Sequence, residues 1–126
     1  MIQDRSKLKV IDNSGSKLGI CFKIISGFKK RYARMGELVF VSIKKLRNKR
    51  RSTSKTKKGE IYSALLLRTK VIKKSFCGDS LNFFDNSTVL INKKNKFIGT
   101  RIFGTIPKFL RKTKFLRVTT LSSGVS

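Results

Sequence analysis

Histidine and tryptophan are absent from this 126-residue chain, alanine occurs only at positions 33 and 64, and proline only at 107. Without histidine, the commonest metal ligand and the commonest general base at neutral pH are both missing, which counts strongly against an enzyme. Cys21 and Cys77 lie far apart and lack the CxxC spacing of a redox or zinc motif, so each is expected as a small core or half-buried filler. Negative charge is scarce too. Asp4, Asp12, Glu37, Glu60, Asp79 and Asp85 stand singly, with no pair suited to acid/base or two-metal chemistry, and read as turn formers and local counter-charges. No catalytic residue, metal site or cofactor is expected. The aliphatic runs, such as Ala64 to Leu67, are far too short to span a bilayer, and no membrane partner is expected.

What abounds is positive charge: 31 Lys and Arg against six acids give a formal charge of +25. A compact chain of this length has a radius of gyration of roughly 14 Å. The like charges therefore lie within a few Debye lengths of one another, each roughly 8 Å at physiological salt, and repel. Nucleic acid, the densest common polyanion, relieves that repulsion. The hydrophobic content of 39%, with ten Phe, is enough to fill one modest core, so a single domain over 1–126 is expected and a disordered basic tail is not. The N-terminus shows no apolar signal core and no Arg/Ser-rich leader. The surplus of Lys, Ile and Phe over Ala and Pro fits an AT-rich coding sequence. Together these point to an organelle-encoded chain.

Along the chain, Lys7 to Ile11 reads as a strand ending in the Asp12-Asn13-Ser14-Gly15 turn. Leu18, Ile20, Phe22 and Ile24 then alternate with a mixed face, as in a half-buried strand. Ser26 to Met35 is a basic loop carrying Lys29, Lys30, Arg31 and Arg34 around Phe28 and Tyr32. Glu37 to Ile43 and Glu60 to Arg68 are paired strands, the second with Ile61, Ser63, Leu65 and Leu67 on one face. Between them, residues 44–58 hold nine Lys or Arg in fifteen residues and no acid: Lys44, Lys45, Arg47, Lys49, Arg50, Arg51, Lys55, Lys57 and Lys58. This segment reads as the tip of a β-ribbon or an extended loop that orders on binding, with a solvated disordered loop as the alternative. A hairpin is expected from Lys70 to Phe76 and Leu81 to Phe84 around Gly78, and a short strand over Thr88 to Ile91. Thr105 and Pro107 open a short helix through Arg111, pinned by Phe109, Leu110, Phe115 and Leu116. The fold class is all-β: a small closed barrel with a basic ribbon or loop and, over 105–126, a C-terminal helical element.

The order and spacing of several short motifs are more specific than any one of them. Asp12-Asn13-Ser14-Gly15, Arg31-Tyr32-Ala33 before Gly36-Glu37, Ala64-Leu65-Leu66-Leu67-Arg68-Thr69 and Gly99-Thr100-Arg101-Ile102-Phe103-Gly104 closely resemble the universal large-subunit ribosomal protein fourteen family, essentially end to end. Ala64 to Leu67, Gly78, Phe83, Asn86, Val89 and Leu90 also match a family signature. Cys77 departs from the Asp, Asn or Ser usual before that Gly, and Thr105 from the Pro that commonly follows the second Gly.

The resemblance implies a five-stranded barrel that binds large-subunit rRNA on the face of the large subunit toward the small one. It further implies ribosomal proteins three and nineteen as neighbours, and an intersubunit bridge to small-subunit rRNA. By the same likeness Thr100, Arg101 and Arg117 fall on the surface that docks ribosome-silencing factors, and together with Lys114 they make up the expected partner and bridge surface. The expected rRNA contacts are Lys29, Lys30, Arg31, Tyr32, Arg34, Arg68 and the nine cations of 44–58. A mitochondrial ribosome is the expected location, with plastid or bacterial cytoplasm as alternatives. Competing readings are a free-standing nucleic-acid-binding regulator on an OB-like or SH3-like barrel, which would display aromatics on adjacent strands, and a nuclease, which the missing His and acid cluster disfavour.

Overall fold

The computed structural model describes residues 1–47, 54–74 and 78–126. Five strands close into a barrel in the order β1 (Lys7–Val10), β2 (Ser16–Ile24), β3 (Leu38–Leu46), β4 (Ile61–Arg68) and β7 (Ser87–Ile91). Four of the junctions are antiparallel, and β1 joins β7 in parallel through Lys9↔Ser87 and Val10↔Thr88. Between β4 and β7 the two-residue strands β5 (Lys73–Lys74) and β6 (Ser80–Leu81) pair antiparallel, a hairpin shorter than the expected Lys70 to Phe76 and Leu81 to Phe84, with 75–77 outside the described residues.

Local chemistry explains the first reversal. The Asp12 carboxylate accepts hydrogen bonds from the Ser14 amide, at 3.0 Å, and from the Ser14 hydroxyl, while its second oxygen accepts the Leu90 amide at 3.0 Å. Gly15 follows at a φ of +97°, a conformation that glycine adopts without steric cost. One buried side chain thus sets the turn and ties it to β7.

The faces of β2 are the reverse of the sequence expectation. Gly19 and Cys21 look into the barrel, and the apolar trio Leu18, Ile20 and Phe22 looks outward, with Phe22 56% exposed. Gly19 sits inward because Val41 occupies the space its Cβ would need. A register shift between Cys21 and Lys23 inserts one residue and reverses the alternation, so Ile24 returns to the interior beside Cys21. Burial pushes the Cys21 thiol up to about 11, with Asp4 adding to the effect, so it stays a protonated core filler as expected. Cys77 lies outside the described residues.

Two apolar clusters share the strands β4 and β7. Ala64, Leu66 and Leu90 fill the barrel with Leu8, Val10, Val39 and Val41. Leu65, Leu67, Val89 and Ile91 point the other way and pack beneath Ile102, Ile106, Leu110 and Val118. A strand buried on both faces needs a continuous apolar run, which is what Ala64 to Leu67 provides. The core is aliphatic: among the described residues no Phe is fully buried, contrary to the expectation that Phe fills it.

The C-terminal segment carries the expected short helical element, but two strands that the sequence did not announce flank it. Thr105 and Ile106 end a strand, β8 (Ile102–Ile106), which pairs in parallel with β9 (Ser122–Val125). Pro107 caps a 3₁₀ turn over Lys108–Lys112, and the α-helix α1 covers only Arg117–Leu121. Leu110 is buried, Phe109 and Phe115 pack against the same cluster as expected, with Phe115 edge-on to Phe97 at 6.3 Å, whereas Leu116 is mostly exposed.

Candidate nucleic-acid interface

The loop between β2 and β3 displays the first group of cations. Its base is held by a backbone pair between Ile2 and Ala33, at 2.8 and 2.7 Å, and by the Gly36 amide donating to Leu66 O at 2.7 Å. Ile2 and Ala33 are themselves part of the barrel core. Glu37 gathers the loop from beneath, accepting from Lys30 Nζ, from the Arg34 amide at 2.9 Å and from Ser26 Oγ at 3.2 Å. Burial raises the Glu37 carboxyl, but these donors and the Lys30 charge outweigh it and leave the group below its ordinary value. Lys30 is thereby committed to Glu37. Lys29, Arg31, Tyr32 and Arg34 remain exposed, and Phe28 stands 92% exposed beside Lys29.

The second group flanks the β3–β4 connection. The β3–β4 ladder runs to Ser42↔Ile61, with Ile43 still bonded through its backbone to Glu60 and Gly59; Lys44 to Leu46 continue β3 against β2, while Arg47 and residues 54–60 belong to a loop. That loop folds back on the first turn: the Arg47 amide donates to Gly15 O at 2.8 Å, the Lys55 amide to Ser14 O at 3.0 Å, and buried Thr56 bonds Ser16 through their hydroxyls at 2.6 Å. Ordering these flanks leaves Lys44, Lys45, Lys55, Lys57 and Lys58 exposed. Lys49, Arg50 and Arg51 lie outside the described residues.

Two of the expected contacts work inside the protein. Arg47 donates to Val10 O at 3.0 Å and stacks over Phe103 at 5.1 Å. Arg68 donates through Nε to Thr105 O and through Nη2 to Phe103 O, each at 2.7 Å, and pairs with Asp85 at 3.5 Å. With its side chain only 12% exposed, Arg68 is a clasp between β4 and β8, not a free phosphate donor. Gly104, at a φ of +83°, is required there twice, because Arg68 also fills the space a Cβ would take.

The four residues expected to form a partner surface divide between two places. Thr100 and Arg101 are held by Asn13, whose Oδ1 accepts their amides at 2.7 and 3.3 Å and whose Nδ2 donates to the Thr100 hydroxyl at 2.8 Å. A Cβ on Gly99 would come within 2.7 Å of Asp12 Cβ, so the two glycine-bearing motifs meet at one junction. Lys114 and Arg117 instead line a cleft with Lys96, Phe97 and Phe115. Sequence reasoning did not pick out Asn13 as the link; its place inside the turn motif was the available signal.

Among the described residues only three ion pairs form, Lys9–Asp85, Lys30–Glu37 and Arg68–Asp85, while Asp12 spends its carboxylate on the backbone and Ser14. A closed barrel that uses Asp12, Glu37 and Asp85 in internal contacts and leaves many surface cations without carboxylate partners among the described residues is suited to a structural role beside a polyanion. The profile of the family described as Ribosomal protein L14p/L23e matches residues 1–126, and the chain belongs to that family. Members are structural and non-catalytic, so this chain is not an enzyme and its general role is RNA binding in translation.

Proposed function

We propose that this chain is a constituent of the large ribosomal subunit that clamps large-subunit rRNA by charge and shape. The observation that carries the reading is the display of Lys29, Arg31, Arg34, Lys55, Lys57 and Lys58 on loops tied to the barrel, and of Lys44 and Lys45 at the end of β3, without carboxylate partners among the described residues. Loops held at fixed separations match the spacing of phosphates in a folded RNA and read its shape more than its bases. Lys49, Arg50 and Arg51 belong to the same proposed set. Tyr32, 43% exposed, is available to stack on a base or sugar. The closing measurement is a salt titration of binding to a large-subunit rRNA transcript. About eight phosphate contacts give a slope of log affinity against log salt of about −6 to −7. A flat response between low and moderate salt would contradict the clamp.

The same reading includes an intersubunit bridge to small-subunit rRNA, ribosomal proteins three and nineteen as neighbours, a silencing-factor surface at Thr100, Arg101 and Arg117, and Lys114 on the same partner and bridge surface. It places the ribosome in the mitochondrion. Arg101 is suited to a test because Asn13 holds its backbone while its side chain is exposed. Arg101→Glu is expected to weaken subunit joining or factor docking with the barrel intact; unchanged association and docking would refute that role. The rival, a free-standing regulator, gains one observation: Phe22 on β2 and half-buried Phe40 on adjacent β3 both lie on the outer face. Sedimentation separates the two, since a ribosomal constituent stays with large subunits through washing and a regulator leaves.

A further inference from the structure

One cleft, of about 430 Å³, lies between the β2–β3 loop and the segment that leads from β4 into the hairpin. Its walls join exposed apolar side chains to cationic ones. Val71 and Ile72 are 47% and 56% exposed, and Met35 backs them from the barrel side. Arg34, Lys73 and Lys74 stand around the same space.

Neither Arg34 nor Lys73 has a carboxylate partner within the cleft. The nearby acid, Glu37, is occupied by Lys30, the Arg34 amide and Ser26. Lys73 Nζ is held over the Phe109 ring, 3.5 Å from its centroid. Burial first, and then the charge of Arg34, lower the Lys73 ammonium below its ordinary value, with Glu37 offsetting part of the effect. A cation raised in free energy by burial and a like-charged neighbour is stabilised by an incoming anion.

The geometry points to this cleft as the seat of a single unpaired nucleotide of RNA, its base laid on Ile72, Val71 and Met35 and its phosphate held among Arg34, Lys73 and Lys74. A nucleotide joins a flat apolar face to an anion at short fixed distance, which is the pairing of surfaces found here, and RNA recognition targets such splayed nucleotides. The cleft volume falls in the range of sites that enclose one small ligand. This inference rests on the rRNA-binding reading and adds to it a site for base burial, which the clamp by loop cations does not need.

The test uses the full chain and a large-subunit rRNA transcript substituted with 4-thiouridine, irradiated and mapped by mass spectrometry. Adducts are expected on the peptide containing residues 69–74. Ile72→Ser removes apolar floor without altering charge. Because Ile72 is about half-exposed its replacement leaves folding intact, as a thermal melt checks. It is expected to lower affinity about fivefold with the salt slope unchanged. Lys73→Gln is expected to weaken binding and reduce the slope by about one. Lys94→Gln, on the distant turn after β7, is the charge-matched control.

If both cleft variants bind and crosslink as the parent does, while loss of Lys29 and Arg31 still weakens binding, the cleft is overturned and the clamp stands. Failure of the parent chain to bind the transcript would instead overturn both. A photoreactive side chain at position 72 that captures only polypeptide in intact large subunits would also overturn the nucleotide seat.

Discussion

Arg68 and Lys29 carry the same formal charge, yet the seam beneath β8 and the loop between β2 and β3 use that charge in opposite ways. At the seam, a guanidinium is enclosed and its donors are matched to two backbone carbonyls and a carboxylate. On the loop, the ammonium is exposed and no carboxylate among the described residues answers it. The planar fork of arginine suits the first task, and a flexible, hydrated lysine suits the second. A charge of +25 is therefore not a single quantity. Part of it is mortar, and the rest is left for the partner.

The comparison breaks most visibly at the seam. Gly104→Ala and Arg68→Ala should each cost about 2–4 kcal/mol, read from chemical denaturation, because the first displaces the guanidinium and the second strands two carbonyls. Neither should change the salt slope of rRNA binding by a full unit, and a loss of slope without a loss of stability would reverse the assignment of Arg68. On the loop, Lys29→Gln with Arg31→Gln should reduce the slope by about two and affinity about tenfold. Their unfolding free energy should stay within the range of surface substitutions, about 0.5 kcal/mol.

Glu37 lies between the two behaviours, since it organises the loop from a half-buried position. Glu37→Gln should cost about 1 kcal/mol and loosen residues 26–37 in hydrogen exchange. Its native value lies below the ordinary 4.5, so its stabilisation is fully present above that pH and is lost as pH falls through the lower native value. Acid unfolding of the parent should accordingly show a component below about pH 4.5 that Glu37→Gln lacks. The smallest effect is expected in β7, where neither Ser87 Oγ nor Thr88 Oγ1 has a hydrogen-bond partner among the described residues. Thr88→Val should be neutral or stabilising by up to about 1 kcal/mol, and a clear destabilisation would reveal a partner for that hydroxyl.

Features governed by local chemistry were legible in the sequence. The Asp12 turn depends on side-chain bonds two residues away, the β4 run on simple apolar continuity, and the 26–35 loop on cations bounded by glycine. Features governed by parity and by distant partners were not. Nothing between Cys21 and Lys23 announces the extra residue that turns Leu18, Ile20 and Phe22 outward. Phe invites a core reading, yet Phe103, Phe83 and Phe109 serve as platforms for Arg47, Arg68 and Lys73. Arg68 looks like any exposed base until β8, more than thirty residues later, supplies the carbonyls at Phe103 and Thr105.

The parallel junction of β1 with β7 has a consequence for synthesis. Lys9 finds its neighbour in Ser87, seventy-eight positions downstream, so the hoop cannot shut until translation has passed that point. Until then Leu8 and Val10 lack the lid that β7 provides, and closing so long a span is entropically slow. A chain with this topology leaves one edge of β1 unpaired until β7 has emerged from the exit tunnel.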